Sequence, residues 1–315
     1  MQILVVKLSS MGDIILTLPA ITDAARAIPG LQCDWVVEED FAEIPQWHPK
    51  VLRSIPIALR RWRYAPWRYQ YYCEFRAWLQ QLRHQHYDYV IDAQALFKSA
   101  CVTRLSKGLR SGMDRRSVRE LGAQLAYQKR YFIPKQQHAL TRIRQLFSKV
   151  LDYPLADMPL DYGLCQSRLE KQLPCALPEH YLFLTPNSSC STKDWPESHW
   201  LALLDKLAEI GLPVLIPWGN LQERARAIRF SLNKAAITVL PKLRLSEMAS
   251  VLKAAKAAVC VDTGFSHLAA ALQVPTVTLY QTTDPMLGGT VGLHQIHLNR
   301  PSVETVWQAL SPLLC

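Results

Sequence analysis

Several clusters of residues carry side chains that could do chemistry on a phosphorylated substrate. Asp262-Thr-Gly-Phe-Ser-His267 lies where an apolar run gives way to a helical pattern. Backbone N–H groups at the start of such a helix form an anion site, and Gly264 lets a ligand approach the main chain. Thr263 and Ser266 bring hydroxyls, and His267 can donate to a phosphate. Asp262 would repel phosphate and better suits the hydroxyls of a sugar. The competing reading is plain helix capping by Asp262 or Ser266. Upstream, Ser188, Ser189 and Lys193 suit a diphosphate whose charge grows as it departs; a solvated loop lysine is the alternative. Glu223, just after Trp218-Gly219, can accept from a ribose or base edge, or complement the helix dipole. Asp13, at a loop-to-helix junction, can take a proton from an acceptor hydroxyl or serve as a cap.

A basic segment carries Arg53, Arg60, Arg61, Arg63 and Arg68 interleaved with Trp62, Tyr64, Trp67, Tyr69, Tyr71 and Tyr72. Arginine forks bind phosphate and carboxylate, and Trp and Tyr favour a membrane interface. Single-stranded nucleic acid would use the same mixture. Arg110, Arg115, Arg116 and Arg119 form a second basic stretch, which could equally be a solvated face. The net charge of +10 needs an anionic partner or serves solubility. No P-loop or nucleic-acid-binding motif accompanies either stretch.

The elements that must position these residues read as α/β. Ile3–Lys7, Asp34–Glu38 and Tyr89–Asp92 are short apolar runs suited to buried parallel strands. Residues 13–26 read as one helix that Pro19 bends or restarts. The pattern resumes with strands at Tyr181–Thr185, Pro213–Ile216, Ala257–Asp262 and Thr276–Tyr280, and helices at Glu197–Ile210 and Ser266–Leu272. Two doubly wound, Rossmann-like halves follow, with a ligand cleft expected at the carboxyl ends of the strands. The first half covers 1–160, a Pro-rich polar linker 161–178 and the second half 179–300. A C-terminal helix at 301–315 could pack back on the first half. The eight cysteines are scattered, with no zinc spacing, which suits a reducing compartment. Neither a signal peptide nor a run of about 18 apolar residues is present, so a cytoplasmic protein is expected.

The residues resemble the lipopolysaccharide heptosyltransferase I family, GT-B enzymes of glycosyltransferase family 9. The resemblance rests on Lys7-Leu-Ser-Ser-Met-Gly-Asp13, Asp34-Trp-Val-Val-Glu-Glu39, Ile91-Asp-Ala-Gln94 with Lys98-Ser-Ala100, and Lys135-Gln-Gln-His-Ala139. It continues through Trp195-Pro-Glu-Ser-His-Trp200, Pro217-Trp-Gly219, Val261-Asp-Thr-Gly264 with Ser266-His267, and Thr283-Asp-Pro285. It implies inverting transfer of L-glycero-D-manno-heptose from ADP-heptose to the 5-hydroxyl of Kdo on Kdo-lipid A, in lipopolysaccharide inner-core synthesis. Asp13 matches the family's general base and Lys193 its diphosphate ligand. Ser188, Ser189, Glu223, Leu243, Asp262, Thr263, Gly264 and His267 fall on its donor site. Arg60, Arg61, Arg63, Gln94, Lys98, Arg119 and His138 become acceptor-binding candidates.

The resemblance also implies no cofactor or metal, a monomer, no nucleic-acid partner and a place on the anionic cytoplasmic face of the inner membrane. The sequence departs from the family in the loop Thr185–Thr192, which is one residue longer, and at Gln281, which replaces a glycine. Two alternatives remain. One is a related heptosyltransferase acting on heptose or phospho-Kdo. The other is a non-catalytic nucleotide- or nucleic-acid-binding module.

Overall fold

Apolar runs with no polar face can be buried on both sides, which is the environment of a central parallel strand. The computed structural model, which describes residues 1–64, 67–155, 158–169, 173–188, 190–232 and 234–314, uses its runs this way in two units. These are Met1–Arg168 and Leu169–Cys315.

The first unit contains β1 (Gln2–Val6), β2 (Gln32–Glu38), β3 (Val51–Ile57), β4 (Tyr87–Asp92), β5 (Gly108–Met113) and β6 (Lys129–Tyr131). Their order across the sheet is β3-β2-β1-β4-β5-β6, all parallel. The second contains β7 (Leu182–Thr185), β8 (Val214–Ile216), β9 (Ile237–Val239), β10 (Ala257–Val261), β11 (Thr276–Tyr280) and β12 (Gln295–Asn299). It repeats the pattern as β12-β11-β10-β7-β8-β9, again parallel. Both are the doubly wound order, with a reversal between β1 and β4 and between β7 and β10. Connections leave in opposite directions at that point and open a crevice at the carboxyl edge. The two Rossmann-like halves expected from the sequence are therefore present.

Some elements differ from the sequence reading. The first helix is two, Met11–Ile15 and Leu18–Ala27, with Pro19 in the first turn of the second. Proline is tolerated there because its missing N–H has no helical partner to lose. The segment 53–72 is not one basic strip. Arg53 lies on β3 in register with Asp34. Its guanidinium binds that buried carboxylate from Nε at 3.0 Å, and Tyr87 OH joins it at 2.7 Å. This is four residues before Glu38, so Arg53 supports the amino-terminal part of the sheet.

The chain divides inside the stretch read as a linker. Its early part is tied to the first unit: Arg26 pairs with Asp161, and Cys165 N–H donates to Trp47 O. Arg168 donates to the carbonyls of Gln46, His48 and Val51. The C-terminal helix is Val303–Leu310. Its Val306 and Leu310 are buried in the second unit's core with Trp195 and Trp200. Its Val306–Leu310 side thus packs on its own unit.

The helices Leu18–Ala27 and Ala139–Leu151 are joined by a buried ion pair. Arg144 donates to the two oxygens of fully buried Asp23 at 2.6 and 3.1 Å. Removing one member of such a pair strands a charge in the interior. Arg144→Met should therefore cost about 3 kcal/mol of stability, read as a lower urea midpoint for the first unit. An unchanged midpoint would show that the pair is dispensable.

Candidate active site

Four buried strands end in, or are followed at once by, a charged residue: Lys7 after β1, Glu38 in β2, Asp92 in β4 and Asp262 after β10. All four are buried. A charge at the carboxyl edge of a central strand is costly unless partnered, so its partners define the site.

In the first unit the partners converge on Asp13. Asp13 is the third residue of the helix Met11–Ile15, whose N-cap is Ser10. Ser10 donates from Oγ at 3.0 Å and from its N–H at 3.3 Å to Asp13 Oδ2. On the other oxygen, Lys7 Nζ donates at 3.3 Å and Arg119 at 3.4 Å. Lys7 reaches across the strand reversal, since its Nζ also donates to Ala93 O at 3.2 Å, just past β4.

The loop after β4 is itself built by Asp92. Its Oδ1 accepts from the N–H groups of Gln94 and Ala95, and Tyr127 OH donates to Oδ2 at 2.8 Å. Ala95 sits at positive φ and its carbonyl accepts from the N–H groups of Arg119 and Glu120. That turn delivers Arg119 to Asp13. Gln94 Oε1 accepts from Leu8 N–H at 2.7 Å and fixes the loop leading to Asp13.

The electrostatics follow from these contacts. Burial pushes the Asp13 carboxyl up. The Lys7 and Arg119 charges and the Ser10 hydrogen bonds outweigh it and hold the carboxyl well below the usual carboxylate range. Burial lowers Lys7, opposed in part by Asp13. Burial also raises Glu38, whose Oε1 accepts from Arg60 N–H at 2.7 Å. Burial lowers Lys98, whose Nζ donates to Ser9 Oγ at 2.9 Å. The product is a carboxylate kept ionised inside a cationic surround, with part of its surface open.

Other candidates of this unit have partners already. Arg60 pairs with Asp40 at 3.2 Å, and Arg61 bridges Glu39 and Glu74 at 3.0 and 2.8 Å. Arg63 is exposed and makes no ion pair among the described residues. His138 caps the helix Ala139–Leu151, accepting at Nδ1 from Leu140 N–H.

In the second unit Lys193 and Asp262 meet across the equivalent reversal. Lys193 Nζ donates to Asp262 Oδ2 at 2.7 Å, bringing the loop after β7 to the loop after β10. Thr263 is the N-cap of the helix Gly264–Ala271, so the helix starts two residues earlier than the sequence pattern indicated. Ser266 spends its hydroxyl on Thr263 O at 2.6 Å, while His267 is buried in the helix.

The other four donor-site candidates stand differently. Ser188 Oγ donates within its own loop, to Asp194 Oδ1 at 2.9 Å and Cys190 O at 2.6 Å. Ser189 lies outside the described residues. Glu223 accepts from Gly219 N–H at 2.6 Å and from Asn220 Nδ2 at 2.9 Å, shaping the turn before its helix. Leu243 is buried.

Sequence reasoning gave no site role to Lys7, Glu38 and Asp92. The signal was present: each is a charge closing an apolar strand. Lys7 matters most for Asp13. Lys7→Met should move the midpoint of the Asp13 titration upward by about one pH unit or more, because burial is then less opposed. The carboxyl ¹³C shift of Asp13 reads this directly, and an unmoved midpoint would discount Lys7. The sign for stability is fixed as well. A depressed carboxyl contributes stability above its unfolded value and loses it as pH falls through the folded one. The variant should lose that contribution at milder acidity.

In sequence the chain is similar to heptosyltransferases. The sequence profile of glycosyltransferase family 9 (heptosyltransferase) matches residues 75–304. Lipopolysaccharide heptosyltransferase 1 of Pseudomonas aeruginosa is 49% identical over 299 residues, covering 95% of this chain and 83% of the relative. The Escherichia coli heptosyltransferase WaaC solved with ADP superposes with a TM-score of 0.92 at 43% identity, covering 99% of this chain and all of that one. The same enzyme with ADP-2-deoxy-2-fluoro heptose gives 0.89 at 43% identity, covering 99% of each chain. The chain belongs to glycosyltransferase family 9, the heptosyltransferases.

Proposed function

We propose that this glycosyltransferase moves L-glycero-D-manno-heptose from ADP-heptose to the 5-hydroxyl of Kdo on Kdo-lipid A, with inversion at the anomeric carbon. The observation that carries the reading is the carboxylate of Asp13, held ionised by Lys7, Arg119 and Ser10 with about a quarter of its side chain exposed. The relatives support the donor, since the structure at 43% identity was solved with an ADP-heptose analogue.

Asp13 takes the proton of the acceptor hydroxyl as its oxygen bonds to the anomeric carbon. The bond from that carbon to the diphosphate breaks, and ADP leaves with the electron pair. Lys193 has two further N–H groups besides the one on Asp262, and these can meet the charge growing on the diphosphate. Asp262 keeps its second oxygen for sugar hydroxyls. The acceptor brings anionic groups that suit Lys98, Arg119 and Arg63.

Asp13→Ala should lower turnover by about a thousandfold, the scale of a general base, while affinity for ADP changes less than about twofold. Steady-state kinetics with ADP-heptose and purified Kdo-lipid A, beside calorimetry with ADP, separates the two effects. Turnover near wild type would remove Asp13 from the mechanism.

A lipid acceptor calls for a surface that meets a membrane. No helix among the described residues is long and apolar enough to cross one, so the contact in this reading is peripheral, on the anionic cytoplasmic face. Exposed Tyr64, Trp67, Tyr69 and Tyr72 suit the interface. Phe97, Leu121 and Leu125 are also exposed, and Glu120 beside Leu121 accepts from Phe97 N–H at 2.6 Å. Arg115 and Arg116 stand in the same loop without an ion pair among the described residues. Replacing Phe97, Leu121 and Leu125 together by serine should weaken flotation with phosphatidylglycerol vesicles. Undiminished flotation would place the contact elsewhere.

A further inference from the structure

The loop from β7 to the helix Glu197–Glu209 carries Lys193. It is polar, and it must hold a long side chain over Asp262. Loops of this kind are mobile unless their ends are fixed. Both ends of this one are fixed by a single side chain from another element. Arg226 projects from the helix Leu221–Ser231, which follows β8. Its NH1 donates to Pro186 O at 3.2 Å and to Asn187 Oδ1 at 3.0 Å, at the start of the loop. The same nitrogen donates to Asp194 Oδ2 at 3.2 Å, and NH2 to Trp195 O at 3.4 Å, at its end. The guanidinium is largely buried and lies 5.5 Å from the Phe230 ring centroid.

Asp194 extends the tie inward. Its Oδ1 accepts from Ser188 N–H at 3.2 Å and from Ser188 Oγ at 2.9 Å. Between those anchors the chain makes a short turn, Ser191–Lys193, in which Asp194 N–H donates to Ser191 O at 3.1 Å. Lys193 therefore stands one residue from a carboxylate held by Arg226. Without that guanidinium, Asp194 would be an unneutralised acid next to Lys193. It would compete with Asp262 for the ammonium.

We propose that Arg226 is a positioning residue for the transfer reaction. It clamps the two ends of the donor loop and engages Asp194, so that Lys193 is delivered to Asp262 and the diphosphate. The proposal rests on the reading of Lys193 as the diphosphate ligand. Arg226 itself touches no substrate. Lysine cannot replace it, because one ammonium lacks the fork that spans both ends of the loop.

A double-mutant cycle tests this on the full-length enzyme with ADP-heptose and Kdo-lipid A. Arg226→Ala should lower kcat by about 100-fold, the scale of a misplaced catalytic group, and leave the acceptor KM unchanged. Arg226→Lys should not restore the rate. In a Lys193→Ala background, Arg226→Ala should cost less than about threefold, because the group it positions is already gone. Asp194→Asn keeps the shape of the loop and guards against a folding defect. It should show a smaller loss that also disappears in that background. If Arg226→Ala and Asp194→Asn cost as much with Lys193 absent as present, the positioning role is overturned. If Lys193→Ala alone keeps its rate, the reading of Lys193 fails, and the proposal with it.

Discussion

The candidate site in each unit exists because the strand order reverses once in its sheet. Between β1 and β4, and between β7 and β10, the chain leaves toward opposite faces, and side chains at the carboxyl edge have room to project. The central strands are buried on both faces, so a charge there must find its partner across the reversal. Lys7 does so by reaching Ala93 and Asp13, and Asp262 by receiving Lys193. The remaining loops are arranged around those two acts of pairing. Asp92 builds the turn that brings Arg119, and Gln94 holds the loop that ends at Asp13.

How much of this could be read from the sequence depended on how locally it was written. β1, β2, β4, β7, β8, β10 and β11 announced themselves as apolar runs. β3, β5, β6, β9 and β12 did not; all but β5 are edge strands, which are covered less and alternate irregularly, and β6 is Lys-Arg-Tyr, with no fully buried residue. Arg53 was grouped with its basic neighbours for that reason, although its strand carries it away from them to Asp34. Asp13, Lys193 and Asp262 were visible because each sits beside a strand–helix junction. Their long-range pairings were not, since Asp13 and Arg119 are 106 residues apart and Lys193 and Asp262 are 69 apart. Ser188 and Glu223 show the reverse case. Side chains suited to a ligand also suit the nearest backbone, and in this structure theirs are bonded within their own loop and turn.

The two ion pairs are built from the same chemistry with the roles exchanged. In the proposed mechanism the acid is the working group of the first unit, and the buried lysine sets its charge. In the second the proposed working group is the lysine, and the aspartate, more deeply buried than its partner, holds it. Burying Lys7 or Asp262 alone at its strand edge would cost several kcal/mol, so each depends on the other member of its pair. The pairing that makes the fold tolerable also fixes protonation. The Lys7 and Arg119 charges and the Ser10 hydrogen bonds favour the anionic form of Asp13 over the opposing effect of burial.

If Asp13 is the base of the proposed reaction, that last property sets a demand on the acceptor. A carboxylate stabilised by two cations is a weak base, because the field that keeps it ionised also opposes its taking a proton. An acceptor carrying its own carboxylate and phosphate groups changes this. Anions placed on Arg119 and Lys98 offset the positive field, and a like charge near Asp13 raises its affinity for a proton. The base is then weak while the site is empty and stronger once the anionic acceptor is seated. The cationic surround thus does more than attract the acceptor. In the proposed reaction it would make proton removal conditional on the presence of the acceptor's negative charges, which a neutral hydroxyl such as water does not bring.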